Sequence, residues 1–445
     1  MVAAYRSQIL SMRADPRIAG AEEAVQYFED GLLVVEDGHV AEIGPYGALS
    51  QKLPADLAIT EFENTLITPG FVDTHIHFPQ TDIVAAYGAQ LMDWLHSYTY
   101  PVEAAFADAA HAKAAARFFI DELLRNGTTS ALVFATVHAA SVDALFEAAL
   151  ARNMRLISGK VLMDRNAPEA LCDGADHGFA ESAALIRKWR GRGRLGYAMT
   201  PRFAPSCSRE QLKMAGDFLR DDPELRLQTH LSENKAEIKF TGELFPEARD
   251  YLDVYDRYGL LTSRSVFAHG LHLSDDAFRR IAEAGAAIAF CPTSNLFLGS
   301  GLFDIRAAEN AGVRVALGTD IGAGTSFSLL QTLRAAYGVG QLGDYSLDPF
   351  TSFYLATLAG AEALGLADRI GHLAPGAEAD FLVLDLAATP LIARRIGASK
   401  TLSEKLFVLT VLGDDRAIAR AYTAGTLAHN RELGRNVTPA RRPVK

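Results

Sequence analysis

A chain of 445 residues has room for one large domain beside a smaller one, and 49% apolar with 22% charged residues is an ordinary globular composition. A net charge of -11 argues against the basic face that nucleic-acid phosphates require, so no nucleic-acid partner is expected. Cys172, Cys207 and Cys291 make no paired framework, no basic-then-apolar leader opens the chain and no apolar run spans a bilayer. A reducing cytoplasm with no membrane partner is therefore expected.

In chain order, the first strong signal is a hairpin at 32–44, two β-rich runs around Asp37-Gly38. Helix-poor sequence then leads to PGFVDTHIH at 69–77, an apolar strand ending in His75 and His77. From there β-rich runs alternate with helical patterns such as 105–125 and 276–284. The runs lie at 71–77, 128–137, 155–163, 195–203, 227–233, 265–273, 286–295 and 314–320. Eight strand-helix units predict an α/β fold, a closed (β/α)8 TIM-like barrel, with a doubly wound open sheet as the alternative. A helical region follows to about residue 366, then a Pro375-Gly376 turn and an apolar run to 384. Further strands are expected at 406–412 and 417–423. Both chain ends are β-rich, so they are expected to form one small β-sandwich. The division is 1–68 for its N-terminal part, 69–370 for the barrel, and 371–445 for its C-terminal part and a tail. Basic runs at 187–194 and 441–445 read as a solvated helix end and that tail.

In such a barrel the active site lies at the C-terminal ends of the strands. The polar outliers fall there: His75 and His77, HLSE at 230–233, HGLH at 269–272, and GTD at 318–320. His75 and His77 share a strand face, and neutral imidazole is a favoured zinc ligand. With His230 and Asp320 they would fill a mononuclear zinc site, one ion per chain, with a position left for water. A bound divalent ion can bring that water's pKa near neutrality. Glu233 is placed to move a proton from water to substrate, and His269 to hydrogen-bond the hydroxide or the tetrahedral centre. The bland alternatives are a satisfied core histidine for His230, a helix N-cap for Asp320 and a solvated Glu233. His272 reads as structural, and His138 as outside the site. A two-metal site bridged by a lysine would need Lys at the end of the fourth strand, where the chain has TPRF. Lys160 lies within the third, which favours one metal. Glycine patterns at 191–196 and 338–343 lack the strand-turn-helix context of a dinucleotide site.

Taken together, PGFVDTHIHFPQ at 69–80, DWL at 93–95, VFATVH at 133–138, TPRFAPSCS at 200–208, HLSEN at 230–234, AHG at 268–270, CPTSNLFLGSG at 291–301 and LGTDIGAG at 317–324 resemble the amidohydrolase superfamily, more narrowly the guanine deaminases. The resemblance implies guanine plus water going to xanthine plus ammonia. It implies zinc on His75, His77, His230 and Asp320, proton transfer by Glu233, help from His269, and a proton relay to the leaving amine by Asp320. It also implies guanine recognition by Gln80, Arg202 and Phe203, and a homodimer. An amide, a guanidinium and an aromatic ring suit a purine. The rivals are a deaminase of S-adenosylhomocysteine or adenosine type, a triazine hydrolase, and an inactive barrel serving as a scaffold.

Overall fold

Two sheets organise the chain, and the computed structural model describes them over residues 2–434 apart from Ala55 and Ala89. The basic tail expected at 441–445 lies outside the described residues. From the N-terminus come β1 (Val2–Met12), β2 (Val25–Glu36), β3 (His39–Pro45) and β4 (Ile59–Pro69). The barrel strands are β5 (Phe71–His77), β6 (Thr128–Phe134), β7 (Arg155–Gly159), β8 (Val161–Leu162), β9 (Leu195–Pro201), β10 (Arg226–Leu231), β11 (Ser265–His269), β12 (Ala287–Phe290) and β13 (Arg314–Leu317). The chain then returns to the first sheet through β14 (Phe381–Asp385), β15 (Ile418–Thr423) and β16 (Thr426–Asn430).

The barrel order is β5-β6-β7-β9-β10-β11-β12-β13, with every neighbouring pair parallel and β8 paired to β9. The third expected strand is thus two pieces, interrupted at Lys160. First and last strands meet through Thr74 Oγ1 to Leu317 O (2.8 Å), Asp320 N to His75 O (2.9 Å) and His77 N to Ile321 O (3.1 Å). Every residue of β5 and β6 is buried, as expected of parallel strands covered on both faces. The expected helix at 105–125 runs over Ala109–Arg125, because Asp108 caps it by accepting from Ala110 N at 2.8 Å. The seventh strand stops at Phe290 rather than 295. Pro292 has no N–H for a ladder and sits in the first turn of a helix, Pro292–Phe297.

Both chain ends build one seven-stranded mixed sheet, ordered β16-β15-β14-β4-β1-β2-β3. β2 and β3 form the expected hairpin, with Asp37 and Gly38 at φ 48° and 83°, as a two-residue turn demands. β1 was not anticipated. Tyr5 on β1 and Tyr422 on β15 are separated by two strands, roughly 14 Å across a flat sheet. Their rings are 5.3 Å apart, so the sheet curls over its own apolar face. Ile9, Leu33, Ile67, Phe381 and Val383 fill that second core.

The strand expected at 406–412 is instead part of a helix, Leu402–Leu412. A short apolar run fits a buried helix as well as a buried strand. The capping box of Thr401 and Glu404 starts the helix, and Leu406 and Leu409 bury against the barrel core.

Candidate active site

The strand ends deliver the polar residues to one place. On β5, residues two apart put His75 and His77 on one face, and both are buried. β10 delivers His230, and Ser232 just beyond it has φ 50°. His269 and Asp320 also adopt left-handed backbone, at φ 73° and 52°. Such conformations cost energy in residues with a Cβ and concentrate at functional sites. The His269 and Asp320 side chains line a cavity at the barrel mouth.

His77 Nε2 lies 3.1 Å from His230 Nε2 and 3.4 Å from Asp320 Oδ1, and His75 Nε2 lies 3.2 Å from the same oxygen. Ligand atoms of His75, His230, His269 and Asp320 fall within 4.8 Å of one another, a group able to hold a metal ion. His75 Nε2 is buried without a protein hydrogen-bond partner, as a donor reserved for an ion would be. His230 Nδ1 lies 2.6 Å from the Arg202 carbonyl. That bond places the ring proton on Nδ1 and leaves the Nε2 lone pair facing the cluster. Burial, reinforced by Arg202, pushes the His75 imidazole down to about 3. Burial, with His75 adding, does the same for His230, to about 3. Both are therefore neutral at pH 7, the form that binds metal.

Glu233 is buried and faces His269, with Oε2 3.4 Å from His269 Nε2. Burial, then the charges of Asp320 and Glu237, push its carboxyl well above the ordinary range. Asn295 Nδ2 donates to His269 Nδ1 at 2.9 Å, so the His269 proton sits on Nε2 and points at Glu233 and Asp320. The cavity at the barrel mouth opens on these groups. Gln80, Arg202 and Phe203 line it with Leu91, Trp94 and Leu298. Of the bland alternatives, none describes the geometry. His230 faces the cluster, Glu233 is shielded, and the helix after Asp320 is preceded by Ser328 instead.

A profile of the amidohydrolase family matches residues 66–428. The guanine deaminase of Escherichia coli is 50% identical over 408 residues, 92% of this chain and 93% of that one. The chain belongs to the amidohydrolase family, in its guanine deaminase branch. The solved E. coli guanine deaminase superposes with a TM-score of 0.94, covering 96% of this chain and all of that one at 49% identity. A probable guanine deaminase of Deinococcus radiodurans is 40% identical over 96% of this chain and 99% of its own. A guanine deaminase from C. acetobutylicum, solved with guanine in its active site, gives a TM-score of 0.86 at 30% identity, over 96% of this chain and 100% of its own.

Several residues of this amidohydrolase site escaped the sequence reading. Asp73 binds the Thr319 and His75 amides, both at 3.1 Å, tying the first strand to the last. Ser300 Oγ contacts Glu233 Oε1 at 3.4 Å, and His272, read as structural, holds the Ser300 carbonyl at 3.0 Å. Asp73, Asn295 and Ser300 lie inside the motif segments, which was the available signal. Glu103 had none. It sits in a short helix, Tyr100–Ala104, amid alanines, yet it is fully buried against Gln80 and Arg202. A second group of possible cation ligands, Asp173, His177 and Glu181, is already occupied by the Lys160 ammonium, which contacts Asp173 and lies 3.3 Å from Glu181.

Proposed function

We propose that this chain deaminates guanine hydrolytically to xanthine and ammonia, using one zinc ion held by His75, His77, His230 and Asp320. The observation that carries the reading is the convergence of three neutral imidazoles and Asp320 beside shielded Glu233, in a cavity also lined by Gln80 and Arg202. When bound there, the ion would lower the pKa of a coordinated water and make it available as the nucleophile for C2 of the base. Arg202 donates to the carbonyl oxygen of guanine, Gln80 pairs with the neighbouring ring edge, and Phe203 packs on the purine. Glu233 receives the water proton and passes it to the ring nitrogen next to C2. His269, with its proton on Nε2, donates to the developing tetrahedral centre, and Asp320 relays a proton to the leaving amine. Leu91, Trp94 and Leu298 keep bulk water from these transfers.

The barrel, 69–370, is the catalytic unit on this reading, and the two chain ends complete the sheet beside it. The unpaired Cys207 and Cys291, both buried, suit a cytoplasmic protein, and the family resemblance suits a homodimer. Among the described residues no helix is long and apolar enough to cross a membrane.

The deciding experiment is ammonia release by zinc-loaded protein on guanine, adenine, cytosine and S-adenosylhomocysteine. Rapid release with guanine alone, with xanthine as the other product, is the expected result. Release only from another amine would keep the metal assignment and discard the pocket assignment.

A further inference from the structure

Glu103 has no part in the chemistry described above, yet it touches both polar side chains assigned to the base. Its Oε1 accepts from Gln80 Nε2 at 2.9 Å, and its Oε2 accepts from Arg202 Nη1 at 2.6 Å. It is 0% exposed. Gln80 lies just after β5 and Arg202 just after β9, so one carboxylate spans the exits of two strands. A buried counter-ion for Arg202 would need only one of those oxygens.

The second contact decides the orientation of an amide. A carboxylate only accepts, so the Gln80 NH2 must face Glu103, and the amide oxygen remains for the cavity. Gly322 leaves room for the Gln80 side chain, since a Cβ there would lie 2.7 Å from Gln80 Cβ and 3.1 Å from Oε1. Arg202 has donors left and no acceptor. The pair therefore offers a ligand one acceptor beside one donor. The lactam edge of guanine, N1–H beside O6, is the complement. 2,6-Diaminopurine carries the same 2-amino group but reverses that edge, with N1 accepting and the 6-amine donating.

We propose that Glu103 is a positioning residue that sets base selectivity by locking Gln80 as an acceptor and Arg202 as a donor. The inference rests on the guanine reading above. Steady-state kinetics of wild type and Glu103→Gln on guanine and 2,6-diaminopurine test it. In the variant the amide at 80 is free to flip. The guanine preference in kcat/KM should narrow by about tenfold or more, the worth of one good base-edge contact, with the guanine loss mainly in KM. A merely structural role lowers both substrates equally, and an unchanged ratio overturns the proposal.

The exchange variant Gln80→Glu/Glu103→Gln keeps one buried carboxylate. Its amide at 103 donates to the carboxylate at 80 and accepts from Arg202, so guanine preference returns. If Glu103→Gln does not fold, Glu103→Asp decides: one methylene shorter, it keeps the charge but cannot reach both partners, so a narrowed guanine preference supports the proposal and an unchanged one overturns it. Wild type without guanine turnover removes the functional reading and this proposal together. Wild type active on guanine, with an unchanged ratio in Glu103→Gln, removes the role of Glu103 alone.

Discussion

Glu233 is a carboxyl that water barely reaches, bounded by Ser300, His269 and the charge of Asp320. Burial disfavours its charged form, so it holds a proton readily and gives it up only to a well-placed base. Positioned acid-base groups contribute about 10²- to 10⁴-fold to rate, so Glu233→Gln should lower kcat by at least ~10²-fold. Metal content, measured by atomic absorption, should stay at the wild-type level, because Glu233 is outside the proposed ligand set. A near-normal rate in that variant would overturn the assignment. The same scale explains what the sequence made legible. His-x-His on a strand and His-x-x-Glu at a strand end are local patterns, and their geometry follows from backbone periodicity. Asn295 on His269 and Glu103 on Gln80 join residues 26 and 23 positions apart, and no local pattern encodes such pairings.

Among the elements, the short helix Tyr251–Arg257 stands behind the site, and Tyr255 Oη donates to the His230 carbonyl at 2.7 Å. Its Asp253 accepts from Arg249 N at 3.0 Å and from Arg257 Nε at 2.8 Å. Burial alone would raise this carboxyl; the Arg249 amide and the two guanidiniums outweigh burial and set it at about 2. A depressed folded pKa contributes stability that is complete above the unfolded value, about 3.9, and is lost as pH falls toward 2. Asp253→Asn should lower the melting temperature at neutral pH, and the gap to wild type should close between about pH 4 and 2. A gap that persists at pH 2 would assign the loss to packing. The helix Leu402–Leu412 carries the opposite lesson. Its apolar run was compatible with strand, and the capping box of Thr401 and Glu404 together with packing on the barrel core selected helix.

Across the whole molecule, the two sheets are joined at the barrel end opposite the site. Arg194, just before β9, binds Glu378 at 2.6 Å and Asp380 at 2.8 Å, and Arg155 at the start of β7 also holds Glu378. Arg194 and both carboxylates are largely shielded, so removing the guanidinium leaves buried charge uncompensated. Such losses cost about 3–5 kcal/mol, and Arg194→Ala should show them in chemical denaturation while KM for the substrate stays unchanged. A changed KM with unaltered stability would mean that this end communicates with the mouth.

Residue type and spacing determined, without tertiary information, the eight strand-helix units, the polar residues placed at their ends and the family. Periodicity and strand-end placement are local properties of a chain. Folding decided what depends on closure. The meeting of β5 with β13 brings Asp320 to His75, the curl of the mixed sheet brings Tyr5 to Tyr422, and the docking of Tyr100–Ala104 brings Glu103 between Gln80 and Arg202. Those contacts arise between segments far apart in sequence, so only packing selects them.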